Sequence, residues 1–163
     1  MLQETYVYIH LEPDGWVPAG LLQFEETGRY SSSTFRYGTK YLERPNRLAL
    51  DPIQLPLLDK TFNTPQGFSI FNGIRDAGPD KWGRYLLDKK FARALTELEY
   101  VAATGPDRAG ALAFSDDPVS GPKVYTPSGF RHADSKHLDL ALCVGAIKDI
   151  EATTNHDLKA IEY

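Results

Sequence analysis

Apolar residues in the first third of the chain gather in short runs of strand-forming types, and near residue 79 their spacing switches to that of a helix. Residues 5–11 (TYVYIHL) and 16–24 (WVPAGLLQF) are rich in β-branched and aromatic side chains. Between them lies Glu12-Pro13-Asp14-Gly15, where proline restricts φ and glycine permits positive values. The two runs are therefore predicted to close a hairpin. Pro18 cannot donate to a ladder, so the second strand should be an edge or carry a bulge. Residues 29–37 (RYSSSTFRY) predict a third strand, with Tyr30, Phe35 and Tyr37 as aromatic anchors. Three prolines among short apolar pairs from 42 to 58 predict one or two extended segments at sheet edges rather than a helix. Residues 61–67 are expected to be a loop. The run 68–74 fits either a strand or a tight helical turn, and periodicity cannot decide over so few positions.

The helical half should begin at Pro79, a favoured first helical residue. Trp82, Tyr85 and Leu86 fall at i, i+3, i+4, and Leu87, Phe91, Ala94 and Leu95 continue around the helix. Thr96 followed by Glu99 has capping-box spacing and predicts a second helix over 97–104, ended by Gly105-Pro106. Residues 109–114 (AGALAF) then form a short buried strand, with Gly110 permitting close backbone approach. The stretch from Asp116 to Gly129 is rich in Asp, Pro, Ser and Gly and predicts a linker. Past it, Asp134 or Ser135 starts a helix carrying Leu138, Ala141, Leu142, Val144 and Ile147. Asn155 starts another, which is two turns long at Tyr163 and has the look of a cut. The fold class is α+β: a hairpin-rich antiparallel sheet module, then packed helices, then a further helical segment. The expected divisions are 1–115, with helices at about 79–104, a linker or loop at 116–133, and a helical segment at 134–163.

Composition narrows the function more than the fold. A chain of 163 residues with 42% hydrophobic and 25% charged residues is globular, with room for one domain and an appendage. The net charge of −4 argues against direct nucleic-acid binding driven by overall charge. The one cysteine, Cys143, excludes an intrachain disulfide and sits in an apolar stretch without a nearby cation, as an inert buried thiol would. There is no signal-peptide pattern and no stretch of about 20 apolar residues, so a soluble cytoplasmic protein without membrane contact is expected.

Each cluster with chemical promise has a plainer structural explanation. His132 and His137, with Asp134 and Asp139 nearby, stand five positions apart and so fall on different faces of a helix, which suits a solvated helix start better than a metal site. Arg29, Arg36, Lys40, Arg44 and Arg47 interleave with Tyr30, Phe35, Tyr37 and Tyr41, the pattern of a nucleic-acid face. In an acidic chain a solvated sheet surface over aromatic core residues explains it better. Asp76, Asp80 and Asp107 suggest a carboxylate set. Asp76 and Asp80, however, flank a helix start where carboxylates accept orphan N–H groups, and Asp107 follows a Gly-Pro turn. No phosphate loop, HExxH or EF-hand pattern occurs.

The segment 74–87, IRDAGPDKWGRYLL, resists such an explanation. A glycine directly after Trp82 costs a helix about 1 kcal/mol against alanine, so Gly83 implies that something is being positioned. Trp82 is either core or a projecting interface anchor. This segment resembles the D-x-x-P-D-x-W-G-R-x-L-L stretch of HipA-type serine/threonine kinases, the toxins of HipBA toxin–antitoxin modules. Residues 101–114 (VAATGPDRAGALAF) resemble the G-x-D-x-x-G-A-L-x-F stretch that follows it in that family. The likeness covers about residues 5–115, and the β-rich start fits the family's small antiparallel N-terminal subdomain.

What the resemblance implies is a kinase system in which this chain is not catalytic. The family's serine- and glycine-rich ATP loop, its catalytic Asp and its magnesium-binding Asp match nothing here, so no catalytic, cofactor or metal residue is carried over. ATP and Mg are implied only for the full-length family. Expected partners are a kinase lobe, in cis or in trans, and a HipB-like DNA-binding antitoxin. The candidate docking or signature residues are Arg75, Asp76, Pro79, Asp80, Trp82, Gly83, Arg84, Asp107 and Gly110. The chain is expected to be the N-terminal portion of a toxin kinase. A free-standing module restraining a separate kinase, and an unrelated nucleic-acid or protein-binding β module, stay open beside it.

Overall fold

The computed structural model describes residues 3–28, 30–105 and 110–125. Arg29, Asp107, His132, His137, Cys143, His156 and the expected helices after 134 lie outside the described residues. The predicted hairpin forms from β1 (Glu4–Leu11) and β2 (Gly15–Thr27), paired antiparallel from Glu4 opposite Gln23 to Leu11 opposite Gly15. Gly15 takes the positive φ of 73° that its turn demands, and the Glu12–Pro13 peptide bond is cis. Opposite Val7 and Tyr8 the register slips from Gly20 to Pro18, so the proline marks a bulge. Of the two options for Pro18, the bulge is correct and the edge is not. β2 is the central strand, and β3 (Tyr30–Tyr37) pairs its other side only from Gly20 onward.

β5 (Leu112–Ser115) adds to β1 and β4 (Thr61–Asn63) adds to β3, giving the order β4-β3-β2-β1-β5 with every pairing antiparallel. Two expectations need correction here. The edge strand falls at 61–63, where a loop was expected. The segment 42–58 forms no strand: α1 (Thr39–Leu42) precedes it, and an isolated bridge from Asp51 to Leu55 is its one sheet-like feature. The Asp51 carboxylate accepts from the Ile53 and Gln54 N–H groups at 2.9 and 3.1 Å, which closes a local turn in competition with strand pairing.

Tyrosine phenols hold this irregular segment instead of a ladder. Tyr37 donates to the Leu55 carbonyl at 2.6 Å and accepts from the Leu50 N–H at 3.0 Å. Tyr41 does the same with both backbone groups of Leu48, at 2.7 and 3.0 Å. Phe35 and Tyr37 are buried anchors as predicted, but Tyr30 is 83% exposed. It pairs with Thr27 at the far tip of the β2–β3 hairpin, beyond the reach of the core.

The run 68–74 resolves as a helical turn, α2 (Asn72–Arg75). It is followed by α3 (Lys81–Phe91) and α4 (Glu97–Ala103). Ile74 of α2 and Leu98 and Val101 of α4 join Val7, Leu22, Phe35 and Phe114 of the sheet in one core. α3 contributes no buried residue. It leans on a smaller cluster of Leu95, Tyr100 and Ala103 through Leu87 and Phe91. After β5 the chain folds back, with the Lys123 N–H bonding Phe114 O and the Tyr125 N–H bonding Ala102 O, each at 2.9 Å. Residues 116–125 of the expected linker thus lie against the module.

Candidate docking site

The start of α3 lies two residues later than the sequence expectation, and the difference explains Gly83. Pro79 precedes the helix, Asp80 is its N-cap, and Lys81 is the first helical residue. Asp80 Oδ1 accepts from the Gly83 N–H at 2.7 Å. A Cβ on Gly83 would stand 2.7 Å from Pro79 Cβ and 3.3 Å from that same Asp80 oxygen. The glycine is therefore what lets the Pro79–Asp80 turn close over the first turn of the helix. Asp80 is the acceptor that the sequence predicts. Asp76 is not: it caps the C-terminus of α2, and its carboxylate stands 4.0 Å from Arg75 Nε.

Arg84 ties α3 to α4. Its two terminal nitrogens donate to Glu97 Oε1 and Oε2 at 2.5 and 2.8 Å, its Nε to Pro79 O at 3.3 Å, and its guanidinium lies 4.6 Å from the Tyr100 ring centroid. Hydrogen bonding to Glu97 raises its pKa further above an already high value. Asp88, also on the inner side of α3, accepts from the Tyr100 hydroxyl at 2.7 Å. Just past α3, Arg93 forms a second fork, to both oxygens of Glu99 at 2.8 Å.

Glu99 is fully buried, and it completes the predicted capping box by accepting from the Thr96 N–H at 3.1 Å. It also accepts from the Tyr125 hydroxyl at 3.2 Å. The sequence marks Glu99 as a cap, but no local signal reveals its links to Arg93 and Tyr125. The Arg84–Glu97 pair was missed for the same reason, because thirteen positions separate the partners and no helical period connects them.

With its inner side engaged in this way, α3 turns Trp82, Tyr85 and Leu86 outward, at 45, 37 and 40% exposure. Trp82 is therefore not a core residue but projects from the helix. Its indole stacks on the Tyr85 ring at 5.9 Å and 23°, and Lys89 Nζ lies 5.4 Å from the Tyr85 centroid. Beside this stripe, Arg75, Asp76, Pro79, Asp80 and Arg84 line an open depression of about 400 Å³ with Gly78. Within it Asp80 is engaged by its cap and Arg84 by Glu97. Gly110 sits apart, in a recess shared with Asp76, Ile9 and Leu112. Its φ of 115° requires glycine, while nothing lies within 4 Å of where a Cβ would stand. Conformation, not close approach, explains it.

A family model described as the HipA N-terminal domain matches residues 14–115, more than half of the chain. The chain belongs to the HipA N-terminal domain family. The matched stretch runs from the β1–β2 turn to the end of β5, so the whole exposed stripe of α3 lies inside the HipA-type module. Neither the curated proteins nor the solved structures gave a match. Among the described residues of this HipA-type chain, no three His, Cys, Asp or Glu side chains gather as a metal site, and no helix is long and apolar enough to cross a membrane.

Proposed function

We propose that this chain is the non-catalytic N-terminal portion of a HipA-like serine/threonine kinase toxin from a type II toxin–antitoxin system. It works in the cytoplasm by holding a kinase lobe, whether that lobe continues the same polypeptide or is a separate one. ATP, magnesium and the catalytic aspartates belong to that lobe, and a HipB-like DNA-binding antitoxin is a further partner of the assembly. The observation that carries this reading is the Trp82–Tyr85–Leu86 stripe, exposed on a helix with no buried residue, inside a HipA-type module. A stacked aromatic pair half-sunk in a helix surface has the make-up of an interface hot spot.

The test is a binding titration between the full chain and a HipA-type kinase lobe produced as a separate polypeptide. Trp82→Ala is expected to weaken binding by about 2 kcal/mol, roughly thirtyfold, as loss of a hot-spot tryptophan does. A change within about 0.5 kcal/mol, the scatter of ordinary surface substitutions, would overturn the docking role of this stripe. Circular dichroism of the variant checks that the fold persists.

A further inference from the structure

The exposed positions of α3 are Lys81, Trp82, Tyr85, Leu86, Lys89 and Lys90, and Arg93 is exposed at its exit. They recur at helical spacing on one side, and not one is acidic. The single acid of the helix, Asp88, faces inward to the Tyr100 hydroxyl. Arg84 and Arg93 are neutralised by Glu97 and Glu99. Lys81, Lys89 and Lys90 form no ion pair among the described residues. Three uncompensated ammonium groups therefore frame an apolar stripe, on a chain whose net charge is −4. In a protein with an excess of carboxylates, a helix face without any is a concentrated cationic patch.

We infer that this face docks on an acidic protein surface, one that offers carboxylates around an apolar recess sized for an indole. The inference rests on the docking reading above and specifies the chemistry of the partner. Carboxylates opposite Lys81, Lys89 and Lys90 would steer and orient the encounter, while Trp82 and Tyr85 supply the buried area. An anionic membrane fits less well. The apolar stripe is three side chains over two turns, an area that can fill a recess in a protein but is small for holding a helix in a bilayer. A nucleic acid fits less well too, because its long-range field meets the net negative charge, whereas a local acidic patch acts within a Debye length of about 10 Å.

The experiment compares the wild-type chain, Trp82→Ala, and the triple variant Lys81→Glu, Lys89→Glu, Lys90→Glu, each titrated with the HipA-type kinase lobe at low and at high salt. The expected result is that the triple variant binds at least about tenfold more weakly at low salt and that the gap closes at high salt. Trp82→Ala should weaken binding at both. If the triple variant binds like wild type while Trp82→Ala fails, docking stands and the acidic partner is refuted. If neither change matters, or the lobe is not bound, the docking reading falls and takes the inference with it. Co-sedimentation with phosphatidylcholine vesicles containing about one third phosphatidylserine, or a shift of duplex DNA, supplies a further check. Lysine-dependent binding to either that is as tight as to the lobe would overturn the choice of a protein partner.

Discussion

At Gly83 two effects of known size act against each other. Helix propensity alone favours alanine by about 1 kcal/mol. The added methyl would meet Pro79 Cβ at 2.7 Å, in the turn that aims the Asp80 carboxylate at the Gly83 N–H. Forcing that turn open also removes the cap, itself worth about 1 kcal/mol. Gly83→Ala is therefore expected to lower the thermal midpoint, against the propensity scale. A midpoint that rises would show that the turn relaxes freely and that the cap contributes little. The sequence already reveals that Gly83 is an anomaly, because a helix-weakening residue beside a tryptophan demands a cause. It does not reveal the cause, since the clash depends on the conformation of the two residues before the helix. Trp82 has the same limit: its spacing with Tyr85 and Leu86 defines a stripe, but spacing does not say which side faces the core.

α3 is fastened differently from the sheet and from α4. It buries no residue of its own and is held by the Arg84–Glu97 fork, the Asp88–Tyr100 bond and the edge of a small apolar cluster. Local opening should therefore need less free energy here than in β1 or β2, whose side chains form the main core. In hydrogen exchange, α3 amides should lose protection before those of the hairpin, and Arg84→Ala should hasten exchange in α3 while leaving the hairpin unchanged. Equal protection of helix and hairpin would mean that the module opens only as a whole. The elements readable from sequence are those with a strong local signal: the hairpin with its Pro-Asp-Gly turn, the capping box of α4, and the short apolar run of β5. β4 was not readable, because three residues with one buried side chain carry no period, and only pairing with β3 makes them a strand. The apolar residues of 42–58 misled for the opposite reason. They look like strand residues, yet the backbone groups of Leu48, Leu50 and Leu55 are bound by the Tyr41 and Tyr37 phenols and those of Ile53 and Gln54 by the Asp51 carboxylate, side-chain partners in place of a neighbouring strand.

The stability of the described module at high pH rests on the same tyrosines. Burial pushes the Tyr37 hydroxyl up to about 12, and burial raises Tyr41 and Tyr8 as well. A folded pKa above the unfolded value near 10 means that the folded state keeps its proton longer. The contribution is then complete below about pH 10 and is lost as pH rises toward 12, at up to about 1.4 kcal/mol per pH unit for one group. Denaturant titrations across that window should show a shallower decline for Tyr37→Phe than for the parent chain, although the variant starts less stable for want of the Leu55 and Leu50 bonds. An unchanged slope would mean that Tyr37 ionises as it does in the unfolded chain. One further property follows from Glu99, which binds Arg93 at the exit of α3 and Tyr125 in the segment that folds back after β5. Both bonds share one carboxylate, so a displacement of Tyr125 bears directly on the anchor of the helix that carries Trp82. The module has a load path, and it runs from the Tyr125 hydroxyl through Glu99 and Arg93 to its exposed aromatic face.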